Sequence, residues 1–215
     1  MGTRREGIEG LSFRVSDLKQ YFFCPRVVYY HTCLPDVRPT TFKMQVGREE
    51  GLAERHREER RSLRAYGLRA GECFFDLSLS SPRLCLHGRL DMAIRTADNA
   101  LGALEAIPVD YKLTPGRTVA HFILQVVAYG MLLEEAWQIP VHRGFLYLIP
   151  SRRAREIEMT QAPARDKRGQ ALRDQVSAAV EAMTRIAVRE LMPEPPRRKE
   201  KCRICEFRRF CNDVV

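Results

Sequence analysis

The sequence predicts an α/β protein in which helices flank a small mixed sheet, with a metal-binding appendage at the C-terminus. Three observations support this prediction: apolar residues alternate with polar ones in the middle of the chain, helix-forming segments lie on both sides, and three cysteines cluster near the end. With 215 residues, 45% of them hydrophobic, the chain is long enough for one domain with its own core.

The first part of the chain is predicted to be helical. Ser16 and Asp17 are typical of a helix start, and Cys24-Pro25 interrupts or kinks the helix that follows. Turn-forming residues at 34–41 indicate a loop. Residues 42–68 have the pattern of a second helix, although glycines weaken its first turns.

The middle of the chain has the two-residue period of strands. In residues 83–94, five apolar side chains alternate with other residues and are predicted to share one face: Leu84, Leu86, Leu90, Met92 and Ile94. In residues 106–113, four more are predicted to do so: Ile107, Val109, Tyr111 and Leu113. Asp110 and Lys112 then lie together on the opposite face.

The rest of the chain alternates between helix and strand. A helix is expected at 119–136, strands at 144–149 and 155–159, and a long helix at 167–191 that ends at Met192-Pro193. One side of the long helix is apolar: Leu172, Val176, Val180, Met183 and Ala187. A stiff, basic connector leads from there into the cysteine cluster.

Composition narrows the class of protein. The net charge of +9 favours a polyanionic partner, nucleic acid first and an anionic membrane surface second. No apolar run reaches the roughly 20 residues that span a bilayer, and the N-terminus lacks a stretch of signal-peptide length, so we expect a cytoplasmic protein. Seven cysteines, an odd number, indicate metal or redox chemistry rather than a disulfide framework.

Asp91, Asp110 and Lys112 form a candidate catalytic group. Their two strands are consecutive, so they are expected to pair. If Asp91 faces the same way as Asp110, the carboxylates could bind Mg²⁺ or Mn²⁺ and the lysine could orient or deprotonate water, which suits hydrolysis of a phosphodiester. The alternative is a solvated Asp–Lys pair on an exposed strand face.

A polar stripe follows the next helix. His121, Gln125 and Tyr129 are four residues apart and share one face of an otherwise apolar segment. Such residues could contact substrate phosphate or water at a metal. Alternatively, Gln125 and Tyr129 are buried and hydrogen-bonded to backbone.

Residues G-R-L-D (88–91), P-V-D-Y-K (108–112) and Q-x3-Y (125–129), in this order, resemble the RecB-like branch of the PD-(D/E)XK nucleases. With VSDLKQYFFCPRVVYY near the start and C-x2-C-x5-C near the end, the chain also resembles the CRISPR-associated iron–sulfur exonucleases, the fourth numbered Cas family. The resemblance extends from Phe13 to Cys211. It implies a nuclease core at 42–192, between an N-terminal helical segment (1–41) and a C-terminal cysteine cluster (193–215).

The resemblance also implies the ligands of a 4Fe–4S cluster. One N-terminal cysteine would join three C-terminal ones: Cys24, Cys202, Cys205 and Cys211. Zinc stays open as an alternative, because thiolates suit both metals. The other cysteines, Cys33, Cys73 and Cys85, have no such spacing and are expected to be ordinary thiols.

The resemblance assigns roles to the strand residues. Asp91 and Asp110, with the carbonyl of Tyr111, would bind Mn²⁺ or Mg²⁺. Lys112 would be the catalytic lysine, and Gln125 and Tyr129 would position the substrate or the water at the metal. Glu is more usual in the family at position 110.

The sequence departs from the family at one metal ligand. Related nucleases carry G-x3-H before the sheet, but here the fourth residue after Gly47 is Gly51. His56 is the candidate replacement, with Glu49 or Glu50 as competitors.

The implied activity is 5′-to-3′ exonucleolytic, with endonucleolytic trimming as an extension, on single-stranded DNA. Its role would be trimming new spacer DNA, beside the adjacent motif, for the CRISPR integrase of the first and second Cas proteins. The chain could be separate from that integrase or covalently fused to it. Two alternatives remain: a DNA-end reader within the integration complex, and a RecB-like DNA-repair nuclease.

Basic residues near the last cysteines could contact the DNA backbone: Arg203, Arg208 and Arg209. Further charge runs with the same interpretation include Arg152, Arg153, Arg155, Arg197, Arg198, Lys199 and Lys201.

Overall fold

A computed structural model of the chain describes residues 10–37, 63–114, 120–159, 167–196 and 199–211. The strands are β1 (Phe13–Arg14), β2 (Glu72–Ser81), β3 (Leu86–Thr96), β4 (Glu105–Lys112), β5 (Arg143–Leu148) and β6 (Arg153–Glu158). The α-helices are α1 (Val15–Phe23), α2 (Pro25–Cys33), α3 (Ala120–Trp137) and α4 (Lys167–Arg189), and 3-10 helices span Leu63–Tyr66 and Lys199–Ile204.

The strands form one six-stranded mixed sheet. Its order is β1-β3-β4-β5-β6, and β2 also pairs with β3. β1 with β3 and β4 with β5 are parallel pairs, whereas the other pairs are antiparallel. Helix α3 makes the crossover that the parallel β4–β5 pair requires. The predicted α/β fold with a mixed sheet is therefore confirmed.

Each face of the sheet supports its own core. The larger core packs the sheet against the helices, and it includes Leu124, Val127 and Leu133 of α3. The predicted apolar side of α4 belongs to it, with Val176, Val180 and Met183 buried and Leu172 and Ala187 packed against them. The smaller core lies on the other face: Tyr66, Leu68, Met92, Ile94, Ile107, Val109, Tyr111, Phe145, Tyr147 and Ile149.

The regular alternation predicted for β3 is wrong in its middle. Leu86 and Leu90 lie in the larger core, but Met92 and Ile94 lie in the smaller one, so the facing of side chains changes between Leu90 and Asp91. On the neighbouring strand Asp76 has φ 56°, a left-handed conformation that disturbs the pleat at this level. Asp91 lies at this change of facing.

Strand β3 has an open stretch along one of its two edges. β2 pairs with β3 from Leu86 to Arg95 and therefore takes one edge. The other edge pairs with β1 at residues 86–87 and with β4 at residues 92–96. Residues 88–91 lie between these two partners, and Asp91 is the last of them.

The predicted break at Cys24-Pro25 is confirmed. Cys24 is extended (φ −162°) between α1 and α2, and Pro25 opens α2, where a missing N–H costs no helical hydrogen bond. The side chain of Cys24 therefore projects from a fixed corner. That corner packs against the C-terminal segment through Val27, Tyr30 and Phe207.

Other boundaries differ from the predicted ones. Residues 63–66 are 3-10 rather than α-helical, α4 ends at Arg189, and Leu113 is exposed beyond β4 instead of lying within a strand. The predicted helix at 42–62 lies outside the described residues. Within the described ranges, none of the helices combines the length and apolar composition needed to cross a membrane.

Candidate active site

Asp91 lies where the β3–β4 ladder ends. The last paired residues are Met92 and Val109. One step further, the backbone N–H of Tyr111 donates a hydrogen bond of 2.7 Å to Oδ2 of Asp91. The Asp91 carboxylate thus accepts a hydrogen bond from the backbone of Tyr111, the residue that follows Asp110 on β4.

Asp110 and Lys112 form a close pair on the helix-facing side of β4. The two are separated by one residue, and Lys112 Nζ lies 2.5 Å from Asp110 Oδ2. Asp110 is 3% exposed. The contact is an ion pair without hydrogen-bond geometry, since Asp110 Oδ2 is among the buried oxygens that accept no hydrogen bond within the described part of the chain.

The two carboxylates interact electrostatically. Burial, and after it the charge of Asp110, raise the pKa of Asp91 to about 7, against the opposing effects of Lys112 and the Tyr111 N–H. The ammonium groups of Lys112 and Lys19 lie within electrostatic reach of Asp110, and the two neighbouring carboxylates place negative charge where solvation is poor. A divalent cation with oxygen ligands would neutralise that charge, so the donor set fits Mg²⁺ or Mn²⁺.

Helix α3 places Gln125 and Tyr129 beside these carboxylates. Both side chains are buried, and the Tyr129 hydroxyl donates a 2.8 Å hydrogen bond to the Arg89 carbonyl on the open edge of β3. Burial and the charges of Asp110 and Asp91 raise the pKa of Tyr129, which keeps the phenol neutral. Gln125 Oε1 is buried without a hydrogen-bond partner among the described residues. A hydrogen bond to the backbone therefore explains the buried hydroxyl of Tyr129, but not the buried Oε1 of Gln125.

His121 begins the same polar stripe but has cations as neighbours. It is half-buried in the first turn of α3. Burial lowers its pKa, and the charges of Lys19, Lys201 and Lys112 lower it further. His56, the proposed additional metal ligand, and its competitors Glu49 and Glu50 lie outside the described residues.

Four cysteines line one cavity between the two ends of the chain: Cys24, Cys202, Cys205 and Cys211. All seven cysteines are free thiols. Burial raises the pKa of Cys24 and of Cys205, and the charges of neighbouring cysteines of this group raise both further. Four thiols of one cavity form a donor set that suits a thiolate-bound metal or cluster.

Sequence reasoning missed the groups that hold this cavity together. Arg26 is buried and donates to the Pro193 carbonyl (2.7 Å) and to Cys211 Sγ (3.2 Å). The Tyr30 ring stacks on Phe207 with ring centroids 4.8 Å apart. The arginine directly after the C-P break was the available signal.

The basic residues near the cavity divide into two kinds. Arg203, Arg208 and Arg209 are exposed, and Arg208 also lines the cavity. Lys201 instead donates to the carbonyls of Phe22 and Phe23 at 3.3 and 3.1 Å. Lys201 therefore binds the C-terminal end of α1, where a cation is favoured by the helix dipole, rather than standing free for a polyanion.

The described residues hold no preassembled set of three metal ligands. Among them, no three His, Cys, Asp or Glu side chains are grouped as ligands of one metal ion. The carboxylate site supplies two such residues, and the four cysteines line one cavity.

Known proteins match most of the chain in sequence. Residues 15–212 match the family described as the PD-(D/E)XK nuclease superfamily. Three curated relatives carry the name CRISPR-associated exonuclease Cas4. They are 28% identical in Francisella tularensis subsp. novicida, 32% in Aeropyrum pernix and 26% in Thermoproteus tenax. The matches cover 94% of this chain in the first two and 95% in the third, and 95% of each relative.

Proposed function

The chain belongs to the PD-(D/E)XK nuclease superfamily and, within it, to the CRISPR-associated exonucleases named Cas4. From this premise we propose that it trims single-stranded DNA ends in the 5′-to-3′ direction. Endonucleolytic trimming is included in the proposal. The observation that carries it is the convergence of Asp91, Asp110 and Lys112 at the end of the β3–β4 ladder.

The carboxylates would hold one divalent cation. Asp91 and Asp110 would be its protein ligands, with the carbonyl of Tyr111 beside Asp110 in the sequence. When bound, the cation supplies charge stabilisation at the phosphate and lowers the pKa of water. The elevated pKa of Asp91 marks a carboxylate whose negative charge is unfavourable without the cation, and such a cation would balance it.

The chain's own groups would orient the reactants. Lys112 would exchange its contact with Asp110 for the attacking water or a phosphate oxygen as the cation binds. Gln125, whose buried Oε1 accepts no hydrogen bond from a described residue, would accept one from water or substrate. Tyr129, a neutral phenol fixed to the Arg89 carbonyl, would define the position of the substrate beside the carboxylates.

The cysteine cavity would hold a 4Fe–4S cluster with a structural role. Cys24, Cys202, Cys205 and Cys211 would be its ligands. The four thiols of one cavity support a thiolate-bound metal group, and the family resemblance favours the cluster over zinc. The N–H donated by Arg26 to Cys211 Sγ would stabilise a thiolate.

The biological substrate would be new spacer DNA, trimmed beside its adjacent motif before integration. The names of the relatives tie this family to CRISPR systems. The partner would be the CRISPR integrase of the first and second Cas proteins, and the exposed Arg203, Arg208 and Arg209 would contact the DNA backbone.

The test is a cleavage assay on single-stranded DNA labelled at either end, with Mn²⁺ and Mg²⁺ compared. Wild type is expected to shorten the strand from its 5′ end. Asp91→Ala and Lys112→Ala are expected to lose at least about 100-fold in rate, as when a group acting in the transition state is removed.

Two outcomes would contradict the proposal. Equal degradation by wild type and both variants would overturn the assigned site. Binding of DNA ends by wild type without any metal-dependent cleavage would favour a DNA-end reader instead.

A further inference from the structure

An open groove runs along the unpaired edge of β3. Six polar side chains line it: Arg14, Ser16, Ser78, Ser80, His87 and Arg89. Its volume of about 670 Å³ lies within the roughly 300–1,000 Å³ of ligand-binding sites. We call it the open-edge groove, because Gly88 and Arg89 of its lining belong to the stretch of β3 that pairs with neither β1 nor β4.

Strand register arranges the polar groups in rows. Ser80 and Arg14 are the partners of His87 on β2 and β1, and Ser78 is the partner of Arg89. His87 and Arg89 are two residues apart on one face, about 7 Å along the strand. That spacing is comparable with the distance between successive phosphates of an extended nucleic-acid strand.

The lining provides hydrogen-bond donors for an anion. Arg14 is exposed, and the side chain of Arg89 is 68% exposed. Arg89 contacts Asp76 through one terminal nitrogen (2.9 Å), and a guanidinium has further N–H donors. Three serine hydroxyls add neutral donors, of the kind that position a nucleic-acid backbone without reading its sequence.

The groove borders the carboxylate site at Tyr129. Tyr129 lines the groove and also lies within electrostatic reach of Asp91 and Asp110. Gly88 lets Tyr129 and Val15 pack directly against β3, since a Cβ there would lie 3.0 Å from the Tyr129 ring and 3.2 Å from Val15. The open edge then ends at Asp91 itself.

We propose that the open-edge groove binds the phosphate backbone of single-stranded DNA beside the carboxylate site. Arg14 and Arg89 are the phosphate-binding cations, and the serines and His87 provide further hydrogen-bonding groups. The inference rests on the proposed nuclease function. It assigns a substrate path that is distinct from the arginines near the cysteine cavity.

The test compares Arg14→Ala and Arg89→Ala with a matched control, Arg95→Ala. Arg95 is on the same strand as Arg89 and is likewise paired with a β2 carboxylate (Glu72, 2.5 Å), but it does not line the groove. The probe is a fluorescein-labelled oligo-dT of about 20 nucleotides, the length scale of a strand that spans one or more binding grooves. It is bound to full-length protein with Ca²⁺ in place of Mn²⁺, and its anisotropy is followed at several NaCl concentrations.

Each groove variant is expected to bind at least about five times more weakly, with a salt slope that is smaller by about 0.7 for each phosphate that the variant no longer neutralises. Arg89→Lys should keep the wild-type slope. In cleavage with Mn²⁺, the groove variants should raise KM more than they lower kcat, the pattern of weakened substrate binding.

The outcomes separate the groove from the nuclease function. If wild type binds and cleaves the oligonucleotide while both groove variants behave like Arg95→Ala, the groove assignment is overturned alone. If wild type neither binds nor cleaves it, the nuclease function and the groove fall together.

Discussion

The carboxylate of Asp91 provides the hydrogen-bond acceptor for the backbone N–H of Tyr111, at 2.7 Å, where the β3–β4 ladder ends. One side chain therefore has two tasks, completing the sheet and supplying negative charge for a cation. Substitutions at this position can separate the tasks.

Asp91→Asn is expected to abolish cleavage while leaving the fold intact. The amide oxygen can still accept from Tyr111, but the charge is gone. Asp91→Ala should also lose the acceptor, which costs about 1–3 kcal/mol for an unsatisfied buried N–H. Activity and thermal unfolding measured together check this. An active Asp91→Asn protein would show that the charge is not required.

Metal binding is expected to weaken in acid. The pKa of Asp91 is raised to about 7, so below that pH its carboxylate is protonated and must lose the proton when the cation binds. Mn²⁺ affinity should then fall by up to about tenfold for each pH unit below about 7, and should level off above it.

Calorimetric titration with Mn²⁺ at about pH 6, 7 and 8, on both sides of that pKa, measures this dependence. The matched control is Asp91→Asn, whose weaker binding should vary less with pH. Equal wild-type affinity at the acidic and basic ends of the series would contradict the assignment of Asp91 as a ligand.

The same pKa predicts how the stability of metal-free protein depends on pH. A carboxyl whose pKa is raised on folding binds more protons in the native state between about pH 4 and 7. Its contribution to the free energy of unfolding therefore decreases as the pH rises through that window. Thermal unfolding in EDTA should show this decrease in wild type and a smaller one in Asp91→Asn. An identical pH dependence in both proteins would refute it.

Tyr129→Phe is expected to reduce both activity and stability modestly. It removes the hydroxyl that donates to the Arg89 carbonyl, a loss of about 0.5–1.5 kcal/mol. Because the pKa of Tyr129 is raised, the phenol is neutral in the working range, so the pH–rate profile should keep its shape while its height drops. Chemical denaturation and the profile itself are the measurements. A displaced profile would mean that Tyr129 transfers a proton.

Cys24→Ser is expected to eliminate the cluster, whereas Cys33→Ser should not. Both cysteines belong to the α1–α2 region, but only Cys24 lines the cavity with the three C-terminal cysteines. Iron and sulfide content and the visible absorption of anaerobically purified protein decide the matter. A zinc-containing, colourless wild type would overturn the iron–sulfur proposal, and equal iron in the two variants would exclude Cys24.

Local patterns predicted the elements whose cause is local. The break at Cys24-Pro25 and the apolar side of α4 follow from proline geometry and a 3.6-residue period, and both were predicted correctly. Strand β1 has two residues and exists only by pairing with Leu86 and His87, so no window of sequence indicates it. The four cysteines at the cavity come from both ends of the chain. They were predicted as ligands from the family resemblance and not from the periodicity of a helix or strand.

The candidate site was predictable in its residues but not in its surroundings. The D-x-K spacing places Asp110 and Lys112 on one face of β4. The change of facing at Leu90–Asp91 accompanies a left-handed residue in the neighbouring strand, Asp76. The open edge of β3 depends on where two distant strands stop pairing. Both are tertiary effects.

The contacts of Arg26 with Pro193 and Cys211 join residues 167 and 185 positions apart. Closing so large a loop costs chain entropy before any contact forms, so this junction is expected to form late in folding, on a sheet that already exists. A cluster could then bind only after folding is complete, because the four thiols come together only when the two ends of the chain are in contact. Cluster content would therefore measure the fraction of molecules that have finished folding.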